Sequence, residues 1–170
     1  MNHIVLYQPE IPQNTGNIMR TCVATSARLH LIKPLGFSVE EKYMKRSAAN
    51  YLEHLDMHIY ENFEAFTKKN KGQFYFLTRY GEKSPDQFDF SQTTEDIYLI
   101  FGNESSGMPK ELLQEHLDRC LRLPMTDKVR SLNLSNTAAI LIYEVLRQQN
   151  YRGLIGHEPD IYKGKDYLKK

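Results

Sequence analysis

Two short apolar runs, Phe74-Tyr-Phe-Leu-Thr78 and Ile97-Tyr-Leu-Ile-Phe101, constrain the fold of this chain more than any other feature. Neither alternates apolar with polar residues, so neither suits a sheet with one wet face. Unbroken runs of this length belong to strands covered by helices on both sides, the setting of parallel sheets. Further strand-like segments fall at 3–7, 28–33, 58–60 and 120–123. Between them lie helix-like segments over 15–27, 40–52, 63–69 and 109–117, the last opened by Pro109 in the favoured first-turn position. Strand and helix in alternation predict an α/β fold, a mostly parallel sheet with helices on both faces. The clearest helix comes last: Ala138, Leu141, Ile142, Val145 and Leu146 recur at i, i+3, i+4, i+7 and i+8, with Asn133 or Ser135 as the cap. Beyond Arg152 the chain is rich in Gly and Lys with no apolar period. The expected organisation is one domain over 1–152 and a loosely held tail over 153–170.

A chain of 170 residues is long enough to bury a real core, and 41% hydrophobic with 25% charged residues is the composition of a soluble globular protein. No apolar run reaches the length of a membrane span. The opening residues, Met1-Asn-His-Ile-Val-Leu-Tyr7, lack the basic start and cleavage site of a signal peptide and read as a strand. Cys22 and Cys120 are too few for a disulfide framework and are not spaced as metal ligands, which points to a cytoplasmic protein with reduced thiols and no metal. The six histidines show neither triad nor metal spacing. A net charge of +1 gives no global field to draw in nucleic acid. Local basic clusters do occur: Lys42, Lys45 and Arg46; Arg119, Arg122, Lys128 and Arg130; and Lys163, Lys165, Lys169 and Lys170. Each could be a solvated face. The middle one brackets a loop of interest.

That loop is Leu123-Pro-Met-Thr-Asp-Lys-Val-Arg-Ser-Leu-Asn-Leu-Ser-Asn136, joining the last strand to the last helix. Its backbone amides sit ahead of a helix N-terminus, where α/β proteins place ligands. Leu123 and Met125 offer apolar walls, Ser131 and Asn133 polar contacts. With few fixed cations of its own, the loop suits a nucleoside with a sulfonium or thioether tail better than a triphosphate. It could also be no more than an elaborate helix cap. A second motif, Phe101-Gly-Asn-Glu-Ser-Ser-Gly-Met-Pro109, leaves a buried strand. Gly102 allows close backbone approach, and Glu104 could accept bonds from Arg20 or a substrate hydroxyl. No Gly-Lys-Ser/Thr follows, so it is not a P-loop; an ordinary strand-to-helix turn is the alternative. The third motif, Asn14-Thr-Gly-Asn-Ile-Met-Arg20, puts Asn17 and Arg20 together at i, i+3, on the arc opposite Ile18, Met19, Cys22 and Val23. An arginine there can donate several bonds to a phosphate or ribose oxygen, or be a plain surface residue.

Taken together and in this order, the three motifs resemble those of the SpoU/TrmH branch of the SPOUT RNA methyltransferases, over residues 3 to about 150. The opening run from Ile4 through Gln8-Pro-Glu-Ile-Pro-Gln-Asn-Thr-Gly-Asn-Ile-Met-Arg20 is similar to that of the minimal TrmL (YibK/CspR-like) group. The resemblance implies a C-terminal deep trefoil knot, an exception to unknotted topology, and a homodimer whose active sites draw on both subunits. It implies S-adenosyl-L-methionine as methyl donor, held near Leu77, Thr78, Gly102, Leu123, Met125, Ser131 and Leu132. Asn14, Arg20, Glu104 and Asn133 match the positions associated with catalysis and RNA contact. The implied reaction is 2′-O-methylation of the wobble nucleotide, position 34, a cytidine or modified uridine in the anticodon stem-loop of tRNA, leucine isoacceptors among them. Arg20 is the usual candidate to activate the hydroxyl, yet a guanidinium stays protonated with a pKa above ~12. It is better suited to stabilise a developing alkoxide or grip a phosphate, with the proton removed by phosphate, water or Glu104. Ser106 stands where some relatives carry a basic residue, which leaves one RNA contact in doubt. With a first strand starting at residue 3, the extra RNA-binding domain of larger relatives is not expected. Rival readings are ribose methylation of ribosomal RNA, a non-catalytic RNA-binding protein of the same fold, and a flavodoxin-type nucleotide binder. Against the last stands the Pro-rich loop over 8–16.

Overall fold

A computed structural model describes residues 1–39, 51–92 and 94–169. Six strands, β1 (Asn2–Tyr7), β2 (Arg28–Ile32), β3 (Met57–Tyr60), β4 (Gln73–Leu77), β5 (Ile97–Phe101) and β6 (Cys120–Leu121), form one sheet in the order β3-β2-β1-β5-β4-β6. Every pairing is parallel. Helices α1 (Pro12–Thr25), α2 (Phe63–Lys69), α3 (Lys110–Gln114) and α4 (Leu134–Gln148) complete the main elements among the described residues.

Strand alternation divides the core cleanly. Ile4, Leu6, Leu29, Leu31, Leu99 and Phe101 face one way, against Ile18, Met19 and Cys22 of α1 and Leu141, Ile142 and Val145 of α4. Val5, Ile32, Phe76, Tyr98 and Ile100 face the other way, against Phe66 of α2 and Leu113 of α3. All five residues of β5 are buried, as an unbroken apolar run requires. Burying either set of large side chains contributes on the order of 1.5–3 kcal/mol per residue.

Several boundaries differ from the sequence expectation for local reasons. α1 starts at Pro12, whose ring suits a first helical turn, and ends at Thr25, where Ser26 turns left-handed at φ 53° and Ala27 N–H bonds back to the Cys22 carbonyl. The helix expected over 109–117 closes after Gln114 and gives way to a 3-10 turn at Leu117–Arg119. Of the helix expected over 40–52, residues 40–50 lie outside the described residues, and Leu52–His54 forms a 3-10 turn. The tail folds into turns, with a 3-10 turn at Tyr167–Lys169 and Leu154 packed against the core.

β6 is short because the chain wraps it. Phe76 and Leu77 pair with Cys120 and Leu121 on one side, while Lys83 bridges Leu121 on the other. Thr78 N–H bonds the Leu121 carbonyl at 3.0 Å, and Arg122 N–H bonds the Lys83 carbonyl at 2.9 Å. Residues 78–83 therefore form a hoop around Leu121. A Cβ on Gly81 would meet the Leu121 carbonyl carbon at 2.5 Å, so the hoop closes tightly only with glycine there.

On the α2 face, a polar chain runs through the core. His3 Nδ1 lies 2.9 Å from His30 Nε2, His30 Nδ1 lies 3.1 Å from the Tyr60 hydroxyl, and Asn70 Nδ2 donates to that hydroxyl at 3.2 Å. Both imidazoles are fully buried. One set of neutral tautomers satisfies the chain: Tyr60 donates to His30, and His30 donates to His3. His3 Nε2 then points at Asp96 Oδ2, 3.3 Å away but not aligned as a full hydrogen bond. Burial depresses both histidines, His3 to about 4 and His30 to about 3.

Candidate functional site

β1 and β5 are neighbours whose onward connections diverge: the chain leaves β1 for β2 on one side and β5 for the β4–β6 edge on the other. Outside the C-terminal ends of such a pair a crevice opens, the usual ligand position in an open α/β sheet. Here two loops are locked across it. The Glu104 carboxylate accepts Glu10 N–H at 2.9 Å, Ile11 N–H at 3.1 Å and Asn14 Nδ2 at 3.0 Å. In return, Ser105 donates its N–H and hydroxyl to the Glu10 carboxylate at 3.0 and 2.7 Å. α1 carries no side-chain cap of its own, so a carboxylate from 90 residues away holds its entry.

From Asn14 the network continues to the third motif. Asn133 Nδ2 donates to Asn14 Oδ1 at 2.9 Å, and Asn133 Oδ1 accepts from Ser135 N–H, Ser135 Oγ–H and Asn136 N–H at the start of α4. One line of bonds thus ties the loops after β1, β5 and β6 together. The second motif is also internally fixed: Asn103 Oδ1 accepts Ser106 N–H, Ser106 Oγ–H and Gly107 N–H. Gly102 presses against it so closely that a Cβ would lie 2.3 Å from the Gly107 carbonyl carbon.

These loops enclose a cavity of about 520 Å³. Leu77, Thr78 and Gly102 line it from the ends of β4 and β5, and Leu123, Met125, Ser131 and Leu132 from the loop after β6. Asn14, Glu104 and Asn133 line it as well. Arg20 does not. It lies six residues beyond Asn14, a 240° rotation along the helix, and its exposed guanidinium sits 5.5 Å from the centre of the Tyr51 ring. Nor does Glu104 bond Arg20; its three bonds go to loop 10–11 and Asn14.

Two features escaped the sequence reading. Glu10, in a loop noted only for its prolines, is half of the reciprocal lock. Arg79 comes to the cavity from β4, joining Arg122 and Arg130, so the cavity has more fixed cations than the loop over 123–136 suggests. The basic cluster of Arg119, Arg122, Lys128 and Arg130 divides: Arg119 is pinned at the far end of β4, bonding Gln73 Oε1 and the Tyr75 hydroxyl. Linear proximity could not separate these arginines; the wrap around Leu121 does. Cys22 and Cys120 are buried free thiols, and burial pushes Cys22 up to about 12, so neither is a nucleophile. Among the described residues no group of His, Cys, Asp and Glu could hold a metal ion, and no helix is long and apolar enough to cross a membrane.

A parallel sheet with this switch-point cavity, strapped by Glu104, Asn14 and Asn133, defines an α/β enzyme class that binds a nucleoside-sized ligand. Residues 1–143 match the SpoU rRNA Methylase family, and the chain belongs to that family. A Bacillus subtilis (strain 168) protein named "Putative tRNA (cytidine(34)-2'-O)-methyltransferase" is 56% identical over 153 residues, 89% of this chain and 96% of that protein. The tRNA (cytidine(34)-2'-O)-methyltransferase of Methylovorus glucosotrophus (strain SIP3-4) is 45% identical over 157 residues, 91% of this chain and 100% of that protein. A solved structure described as giving insights into the 2-OH methylation of C/U34 on tRNA is 40% identical, with a TM-score of 0.81 over 89% of this chain and 98% of that one.

Proposed function

We propose that this protein is an S-adenosyl-L-methionine-dependent tRNA 2′-O-methyltransferase acting on the ribose of nucleotide 34, cytidine or modified uridine, in the anticodon stem-loop. The observation that carries the reading is the Glu104–Asn14–Asn133 network, which holds three loops around one cavity in a chain of the SpoU family. Relatives named for cytidine-34 methylation at 45–56% identity support the substrate.

The cavity fits the donor. Its volume suits a nucleoside with a short tail, Leu77, Leu123 and Met125 supply apolar wall, and Gly107, at φ 73°, would place a Cβ in open space on the lining. When bound, S-adenosyl-L-methionine would supply a sulfonium methyl for in-line displacement by a ribose 2′-oxygen, the S–CH3 bond breaking as the O–CH3 bond forms and the hydroxyl proton passing to water or a phosphate oxygen. Leu77, Thr78, Gly102, Leu123, Met125, Ser131 and Leu132 would hold it, largely through main-chain groups. Asn14 and Asn133 face the same space and orient the incoming ribose. Glu104 is a positioning residue: three of its roughly four acceptor sites are filled by the chain itself. Its work is to keep the loops after β1 and β5 in register, a contribution to proximity and orientation. Arg20 stabilises charge on the attacking oxygen or the adjacent phosphate.

A homodimer is part of the proposal. α1 packs beside α4, and that pair leaves Arg20, Ile140 and Tyr143 exposed, the last two at 48% and 47%. A second copy would cover this patch and receive Arg20 into its own site, which explains an arginine turned away from the cavity of its own chain. The trefoil knot belongs here too, supported by the hoop of residues 78–83 around Leu121. So do a single domain over 1–152 with an appended tail, and a cytoplasmic setting.

The direct experiment is incubation with labelled donor and total tRNA, then mass mapping of the methylated nucleotide. The expected product is a single methyl on the ribose of nucleotide 34. Base methylation, or label only in ribosomal RNA, would refute the reading.

A further inference from the structure

Three arginines from three stretches of chain line the same cavity: Arg79 after β4, and Arg122 and Arg130 at the two ends of the loop after β6. Among the described residues none of them pairs with a carboxylate. The acidic side chain on the cavity wall, Glu104, is occupied by its three donors. An excess of unpaired guanidinium around one opening, in a protein with a net charge of only +1, marks a place built for anions.

Two of the three are held in advance. Arg122 Nη1 donates to the Arg79 carbonyl at 2.6 Å, linking the hoop around Leu121 to the strand it encloses. Arg79 Nη2 donates to the Tyr80 hydroxyl at 2.6 Å with its guanidinium 4.8 Å from the ring centre, and Tyr80 is 69% exposed on the same cavity. Cation and aromatic face together offer one surface for a phosphate and one for a base. A lone carboxylate on a small ligand needs one guanidinium. Three of them, spread over separate segments beside an exposed tyrosine, match a chain of phosphodiesters.

We infer that Arg79, Arg122 and Arg130, with Tyr80 beside them, form a clamp for the RNA backbone next to the nucleotide being methylated, with Tyr80 stacking a neighbouring base. This rests on the functional reading above and adds to it which side chains bring the RNA to the cavity. They would be positioning residues, setting RNA affinity rather than the chemical step.

The test measures binding, so it is legible whether or not methyl is transferred. Anisotropy of a labelled anticodon stem-loop is titrated against wild type, Arg79→Ala, Arg130→Ala and their double variant, and calorimetry follows S-adenosyl-L-methionine. Among the described residues the Arg130 side chain makes no hydrogen bond and the Arg79 side chain bonds only Tyr80, so folding should survive with the Arg79 carbonyl kept for Arg122; Arg122→Lys, which keeps a donor for that carbonyl, is the companion variant. The expected result is RNA affinity down at least tenfold in the double variant. The slope of log affinity against log salt should be shallower by about 0.7 for each arginine removed, with donor affinity within twofold of wild type. Unchanged RNA binding, or a matching loss of donor affinity, overturns the clamp; the latter would assign the arginines to the donor's carboxylate. A wild type that does not bind the stem-loop overturns it as well. Methylation of nucleotide 34 by the same variants separates the two readings, since intact wild-type activity with unaffected variants removes only the clamp.

Discussion

Two polar networks, one in the core and one only partly buried, flank the same central strands, and their residue types invert the usual expectation. On the α2 face, His3, His30, Tyr60 and Asp96 form a chain of the groups most often recruited for proton chemistry. Around the chain Phe66 and Tyr98 pack edge and face against the rings, and burial holds both imidazoles neutral. At the C-terminal ends of the strands, Glu104, Asn14 and Asn133 form the other network, which does open on a cavity. Function follows from where a network ends. A relay packed among core side chains supports structure, whereas one anchored on loops beside a cavity can shape a binding space.

The contrast predicts separable effects. Arg20→Ala removes a charge that neither network touches. Turnover on tRNA should fall about 100- to 1,000-fold, equivalent to about 3–4 kcal/mol, with donor affinity by calorimetry unchanged; parallel losses in both would contradict the division of roles. Glu104→Ala releases three donors and unlocks both loops. Unfolding in urea should lose about 2–3 kcal/mol, and donor affinity should drop with it, because this network serves binding. The histidine relay should instead move stability alone. Its imidazoles are depressed below the unfolded value of 6.5, so the unfolded state takes up protons first as pH falls. Their contribution is fully present above about 6.5 and is lost on acidification towards about 4 for His3 and about 3 for His30, at up to about 1.4 kcal/mol per pH unit for each imidazole. His30→Gln should flatten that slope in equilibrium unfolding without altering donor affinity at neutral pH; an unchanged slope would show that the relay does not titrate. The smallest effect belongs to Asn133→Ala, which removes the α4 cap and the bond to Asn14. It should cost about 1 kcal/mol of stability and a modest rise in the Michaelis constant for tRNA, read from steady-state rates.

Much of this was legible in the sequence because it depends on local pattern. The unbroken runs at 74–78 and 97–101 lie in adjacent central strands, and the period over Ala138 to Leu146 sits on one buried face of α4. Asn133 caps α4 through contacts two and three residues away, a short-range signal. What stayed hidden is long-range. The Glu10–Ser105 and Glu104–Asn14 contacts join segments 90 or more residues apart, and no periodicity encodes them. Arg79 and Arg130 meet at one cavity only because Leu121 passes through the hoop of residues 78–83. The histidines misled nobody by spacing, yet only the fold shows that His3 and His30, far apart in sequence, are hydrogen-bonded in the core.

The most direct measurement is a crystal structure of the protein grown with S-adenosylhomocysteine. The nucleoside should lie between Leu77, Gly102, Leu123 and Met125, with the Glu104–Asn14–Asn133 bonds intact beside it. Density for the ligand outside that cavity, or none at a saturating concentration, would contradict the account.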